Sequence, residues 1–412
     1  MYKRQADDIV LGGSYPSYTS VGSTVPVSLT WEKSTTYDVG LDLDFFNNRL
    51  SVSGDYYRRY TTDMYTASVA LPAVYGTGSP KGNNAEMKTD GWELSLSWRD
   101  SFKLGGKPFD YSIKAMVWDS KSVITKYVND TGSLGTVKGF IENGGSPSSY
   151  YVGMTVGEIW GYTVAGLFRD QADIDSSAIH DFVQASDKVT RPGQVKIADL
   201  DGNGFIDPGN FAVDDHGDLR IIGNQSPRYR YGVNLSARWN GIGLSVFLQG
   251  VGARDWYPGS DAGMFWGKYG RPFFALIPSI HNYTDDMYSA ERNNWDTAYW
   301  PRMTTYQSNG TKNWTRLLEI PNTRYIQSAA YLRVKNIQLD YSFPKHICSA
   351  IRLQGLKIYV NAENLFTFTP LHKYAPNFDP EGLSYDSDFA SAADGYTYPI
   401  LKSVTVGVNI TF

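Results

Sequence analysis

The sequence predicts an all-β protein, an antiparallel transmembrane β-barrel wall of about nine strands. Three observations predict it. The first is the stretch from Tyr398 to Phe412. Its even positions from Ile400 read Ile, Lys, Val, Val, Val, Ile and Phe, while its odd positions from Leu401 read Leu, Ser, Thr, Gly, Asn and Thr. A period of two with one apolar and one small polar face is a strand between an oily and a wet surface. The stretch ends on an aromatic residue in the apolar phase, which marks Phe412 as a candidate assembly signal for a barrel. The second observation is that strands with this pattern are joined alternately by tight turns and long connections, the asymmetry of a membrane barrel. The third is that Phe45, Trp98, Trp239, Phe343 and Phe412 all lie beside a tight turn or the terminus, as one interfacial girdle.

Composition agrees. The chain has 412 residues, 42% of them hydrophobic, with 30 Tyr, 11 Trp and 40 Gly but only 19% charged residues. That favours strands, turns and interfaces over helices. A net charge of −4 gives no basic footprint, so nucleic acid is not an expected partner. A single cysteine, Cys348, excludes an internal disulfide framework and a thiolate metal cluster. There is no run of about 18 apolar residues for a membrane helix, but barrel strands alternate and escape that test. The first residues, Met1 to Asp8, carry no apolar signal region, so either a signal has been removed or the sequence begins in mid-protein.

In chain order, residues 1–27 read as an extracellular loop segment and 28–412 as barrel. The first strand, about Leu29 to Phe45, carries Tyr37, Val39, Leu41 and Leu43 on one face and Asp38, Asp42 and Asp44 on the other. Asn47-Asn48 makes the turn, and Leu50, Val52 and Tyr56 return. After a loop at about 67–86 come Trp92, Leu94, Leu96 and Trp98, a turn through Gly105-Gly106, and then Tyr111, Ile113, Ala115 and Val117. A long connection at 129–220 precedes the hairpin Tyr229–Trp239, Asn240-Gly241, Ile242–Leu248. Tyr229 to Trp239 spans about 25 Å at roughly 3.3 Å per residue and a tilt near 40°, the height of a membrane apolar band. A second long connection covers 258–324. The strand ending Ile337, Leu339, Tyr341, Phe343 has Leu332 and Val334 in the opposite phase, which predicts a bulge or emergence from the membrane between them. Leu356, Ile358, Val360 and Ala362 rise again, and a loop at 371–397 leads to the last strand. The competing architecture, a soluble β-sandwich or propeller, fits less well with the strand length and the many outward Trp and Tyr.

Several strings carry a family resemblance. Leu29-Thr-Trp-Glu-Lys-Ser-Thr-Thr-Tyr-Asp-Val-Gly-Leu-Asp with Phe45-Phe-Asn-Asn-Arg-Leu-Ser-Val-Ser-Gly-Asp-Tyr-Tyr resembles SusC-like (RagA-type) TonB-dependent outer-membrane transporters. So do Tyr331-Leu-Arg-Val-Lys-Asn-Ile-Gln-Leu-Asp-Tyr-Ser-Phe-Pro-Lys345, Val360-Asn-Ala-Glu-Asn-Leu-Phe366 and the final strand. The resemblance implies a 22-stranded barrel with an N-terminal plug, of which this chain supplies roughly the last nine strands. It implies that the plug, its TonB-contacting segment and the first half of the barrel are absent. It also implies an outer-membrane location and import of oligosaccharides or peptides delivered by a SusD-like lipoprotein, with TonB acting through the missing plug. Nine strands alone leave two unpaired edges that lipid cannot satisfy. A β-rich surface module that binds glycans or mediates adhesion, and a non-functional fragment, are the alternatives.

The clearest local motif is Asp199-Leu-Asp-Gly-Asn-Gly-Phe-Ile-Asp207. Oxygen donors at positions one, three and five, Gly at six and a carbonyl at seven form a calcium-sized cage. The expected ligands are Asp199, Asp201, Asn203, the Phe205 carbonyl and Asp207, for a structural Ca2+ that pins a long loop. Position twelve is Asn210, not Glu, so Asp214, Asp215 or Asp218 would have to fold back. A polar turn that binds nothing ordered gives the same letters. The other constellation is aromatic, in 258–324, with Trp266, Trp295, Trp300 and Trp314 as candidate contacts. Packing of the loop on itself, an interface with the lipoprotein and stacking on sugar rings all remain open there. No catalytic motif stands out. The five histidines lack metal spacing, the Gly-rich loops lack a G-x-S-x-G elbow, and paired carboxylates merge with a polar barrel interior, so no enzyme is expected.

Overall fold

Alternating sequence becomes nine antiparallel strands in one sheet, each hydrogen-bonded to its neighbours in chain order. The structure is a computed structural model and describes residues 2–5, 17–20, 27–68, 80–136, 146–180, 190–258, 265, 286–302, 320–383 and 400–412. The strands are β1 (Lys33–Phe45), β2 (Leu50–Ala67), β3 (Lys81–Leu104), β4 (Lys107–Lys126), β5 (Arg228–Trp239), β6 (Ile242–Ala253), β7 (Tyr331–Ser342), β8 (Gly355–Phe368) and β9 (Ser403–Thr411). The turns β1–β2, β3–β4 and β5–β6 are tight. Asn47, Asn48, Gly105, Gly106, Asn240 and Gly241 all take positive φ there, which Asn and Gly tolerate best. A short helix, Lys345–Ala350, stands in the β7–β8 connection at the same end.

Register carries the two faces across all nine strands. One row runs Phe45, Leu50, Trp98, Ile113, Leu235, Val246, Ile337, Ala362, Val404. The row one residue away runs Asp44, Ser51, Ser97, Lys114, Asn234, Phe247, Asn336, Glu363, Ser403. The first is wholly apolar and the second polar at eight of its nine places. Since a one-residue slip would exchange the faces, this agreement fixes the register. The apolar face is bare: Val39 and Val406 are about three-quarters exposed. The polar face is hydrogen-bonded to itself, through Ser112–Ser236 and Asn336–Asn361, each at 2.8 Å.

The phase break in β7 is a bulge at Lys335. Val334 and Asn336 take neighbouring places in both adjacent ladders, and Lys335 is left over, so Leu332 and Val334 join the same face as Ile337. Other expectations need correction. β1 begins at Lys33, not Leu29. The loop at 67–86 is shorter, because β3 starts at Lys81; its 24 residues reach about 80 Å along the strand, far beyond a bilayer. Outside lipid a strand needs no apolar face, so Asn83, Asn84 and Glu86 hide it from a periodicity test. Within 1–27, Tyr2–Gln5 pairs antiparallel with Ser17–Ser20.

The connections opposite the tight turns are not bare loops. Glu158–Tyr162 pairs with Leu219–Asn224, Val164–Leu167 with Val195–Ile197, and Asp255–Trp256 with Gln327–Ser328. These hairpins share a single core with residues from 286–302 and 370–383, including the fully buried Trp256, Tyr257, Tyr325 and Leu371. Asn322 stitches it. Its amide donates to Tyr257 Oη (2.9 Å) and Ile320 O (3.0 Å) and accepts from the backbone of Arg324 and Tyr325 (3.1 and 3.2 Å). The helices among the described residues are short, and none is long and apolar enough to cross a membrane.

Candidate functional site

The functional surface has three parts: the polar face of the sheet, the folded module at its far end, and an acidic loop in that module. Near the tight turns the polar face forms a cleft of about 680 Å3 whose lining includes Arg49, Arg99, Asp100, Asp110, Arg238, Asp340 and Lys357. The alternation of β3 to β8 places these side chains on one side. Asp340 is nearly buried, 3.7 Å from the Arg238 guanidinium, and Gly243 leaves the room its carboxylate occupies. Such a wall offers hydrogen bonds and mixed charge to a hydrophilic occupant.

At the opposite end, the sheet's polar face meets the module through ion pairs. Arg333 is almost fully buried; it donates to Glu381 (2.7 Å), Asp379 and Thr367 Oγ1 (3.0 Å). Lys335, the bulged residue, reaches both oxygens of Glu381 at 2.8 Å. The segment 370–383 is therefore held over the inner wall by charge at 379–381 and by Leu371 and Phe378 in the core; the Phe378 ring lies 4.8 Å from that of Trp256.

The aromatic candidates separate. Trp300 is 2% exposed, stacked on Tyr325 at 5.7 Å and edge-on to Phe265 at 5.1 Å. As a contact for ligand or partner this residue is corrected: its ring is spent on the core. Trp295 is half-buried against the same core. Trp266 and Trp314 lie outside the described residues. Sequence reasoning passed over Trp256, Tyr257 and Tyr325 as core, because an aromatic just past a strand end looks the same whether it packs inward or faces a membrane interface. Next to Trp300, the rings of Tyr299 and Tyr374 stack at 3.6 Å, and burial pushes the Tyr299 phenol well above its ordinary range.

The turn-end girdle has internal contacts. Trp98 donates to Tyr111 Oη and Trp239 to Leu104 O, each at 3.0 Å; Phe343 meets Tyr341 at 4.9 Å. Phe412 follows the last ladder pair, Gly355 with Thr411, and is 83% exposed.

In the acidic loop the observed convergence differs from the expected one. One oxygen each of Asp199, Asp201 and Asp218 lies within 4.8 Å of the others. Asp207 does not join them; it accepts from Gly209 N (2.7 Å) and Asn203 Nδ2 (3.1 Å). Asn203 Oδ1 accepts from Phe205 N at 2.7 Å. Of the three acids that could fold back, Asp218 does so. Its oxygens take the N–H groups of Leu200 (2.6 Å) and Asp207 (3.1 Å), and Asp215 is occupied by Asn210. Burial, with Asp201 and Asp199 adding to it, raises the Asp218 carboxyl above the ordinary range despite those two N–H groups. Asp199 goes the other way: burial raises it, but the N–H groups of Gly204 and Gly202 outweigh that and hold it low. Sequence spacing pointed to the loop but could not choose Asp218 over its neighbours.

A sheet with one apolar and one polar face, long strands and a girdle at the turn end defines a segment of an outer-membrane β-barrel. The family described as TonB dependent receptor-like, beta-barrel matches residues 6–214, and the chain belongs to it. It is an outer-membrane protein family of receptors and transporters. Among curated relatives, TonB-dependent receptor P3 of Formosa agariphila is 26% identical over 93% of this chain and 34% of its own length. TonB-dependent receptor SusC of Bacteroides thetaiotaomicron is 24% identical over 97% of this chain and 34% of its own length. Among solved structures, that of the RagAB peptide transporter superposes with a TM-score of 0.62 at 18% identity, over 100% of this chain and 38% of that one. The chain thus spans about a third of the length of the curated relatives it matches.

Proposed function

We propose that this chain is the C-terminal part of the barrel wall of a TonB-dependent outer-membrane importer for oligosaccharides or peptides. The observation that carries the reading is the polar row running unbroken in register from Asp44 to Ser403, beneath a folded module at one end. That row gives a hydrophilic lining on the side away from lipid, which a conduit for water-soluble nutrients needs. Both outer edges, along β1 and β9, lack a partner strand among the described residues. In lipid each must be closed by further strands, which fits a wall segment of a larger barrel. A SusD-like lipoprotein would present the ligand at the module, and TonB would act through a plug inside the complete barrel. Relatives named for SusC and a fold neighbour titled a peptide transporter support both ligand classes.

The test uses the complete outer-membrane protein in its own cells. Uptake of labelled oligosaccharides and peptides is followed with and without TonB, and the tagged protein is isolated for its partners. The expected result is TonB-dependent accumulation of one class and co-isolation of a SusD-like lipoprotein. Surface binding indifferent to TonB, with no lipoprotein, would instead make the protein an adhesion or glycan-binding module.

A further inference from the structure

We propose that the loop 199–218 binds one calcium ion between the carboxylates of Asp199, Asp201 and Asp218. Three acids from two separate segments bring one oxygen each within 4.8 Å of the others, and one of the three, Asp218, is fully buried. Bringing like charges together away from water is costly unless a cation joins them. No lysine or arginine does so among the described residues. Lys196 pairs with Asp173 at 2.7 Å, and Arg220 is spent on His216 and on the carbonyls of Gly217 and Leu219.

A second, independent observation is Tyr162. It stands opposite Leu219 in the hairpin, is fully buried, and its hydroxyl has no hydrogen-bond partner. Burial, and then the nearby charges of Asp218 and Asp207, drive its phenol well above the ordinary range, so the oxygen lies on the side of those acids. An unfilled hydroxyl beside buried carboxylates is the place of an ordered water, and a cation-bound water satisfies both.

The donors are all oxygen, with no nitrogen or sulfur ligand, which selects a hard cation. They are unevenly spaced and come from a turn and a strand end, which suits calcium's irregular six to eight ligands better than magnesium's strict octahedron. Gly204, at φ +84°, makes the sharp turn such a loop needs after its fifth position. Asp218 stands where a twelfth-position Glu would act in a helix–loop–helix site, but it arrives from the start of strand Leu219–Asn224. The inference does not depend on what the barrel carries.

The test uses the complete protein in detergent, stripped with chelator and titrated with Ca2+, Mg2+ and, as a luminescent probe, Tb3+. Trp160 and Tyr162 provide excitation close to the site. Wild type is expected to bind one Ca2+ per chain in preference to Mg2+, and chelator is expected to increase protease nicking within 190–220. Asp201 is exposed and shapes no buried contact, so Asp201→Ala should fold normally and weaken calcium binding by at least about tenfold. Asp218→Asn should do the same, and Asp215→Ala should leave it unchanged. No calcium response in wild type, or equal affinity in Asp201→Ala, overturns the proposal. Loss in Asp215→Ala with retention in Asp218→Asn overturns the assignment of the closing ligand.

Discussion

The barrel wall and the module at its end use the same residue types in opposite ways. In β9, Val404, Val406, Val408 and Ile410 point away from all protein, and the neighbouring polar side chains line the other face. A few residues beyond the strand ends, Trp256, Tyr257, Tyr162 and Tyr325 are wholly enclosed, and the polar groups turn out to water. Hydrophobicity alone does not say where a side chain goes; the solvent on the far side does. In the wall that solvent is lipid, so the apolar side chains need no protein partner. In the module it is water, so the apolar side chains must find one another, and the module packs like a small soluble domain.

Breaking the module's side of this contrast should give the largest effect. Trp256 contacts Phe265 and Phe378 from the centre of the module core. Trp256→Ala should cost about 3–5 kcal/mol locally. Hydrogen exchange should rise through 158–224 and 320–328, while the ladders of β1–β6 keep their protection. Equal loosening of wall and module would mean the two are one cooperative unit and the contrast is false.

A smaller effect comes from His180, also in the module and 4% exposed. Its Nε2 accepts from Ile197 N at 2.9 Å, and its Nδ1 must donate to Ala178 O at 2.7 Å, so only the neutral ring fits. Burial lowers its pKa below the ordinary 6.5, with Lys196 adding repulsion against the opposing Ala178 carbonyl. A depressed histidine pKa contributes stability that is fully present above the unfolded value and is lost as pH falls toward and through the folded one. Protection of Ile197 N–H should therefore fall as pH drops below about 6.5, with no matching change in the wall. Protection that rises on acidification would show that the ring is charged and differently bonded.

The same contrast explains what could be read from the letters. The wall was legible because a lipid-facing strand must alternate, and even the bulge at Lys335 showed as Leu332 and Val334 falling out of phase with Ile337. Residues 81–86 were missed because β3 there has left the membrane and obeys no alternation. The module was not legible as a folded unit. Its strands are two to six residues long, too short for a period, and its core is assembled from four distant stretches. The acidic loop was half legible: spacing gave Asp199 and Asp201, but only the return of the chain through Leu219 selects Asp218.

The central claim is that the even positions of β9 meet lipid and the odd ones a polar interior. The most direct measurement places arginine on each face of the complete protein, at Val406 and at its neighbour Thr405, and compares folding into bilayers. Val406→Arg should cost about 2–4 kcal/mol near the midplane, whereas Thr405→Arg, beside Asn361 on the polar face, should cost much less. Equal costs at the two positions, or a larger one at Thr405, would contradict the account.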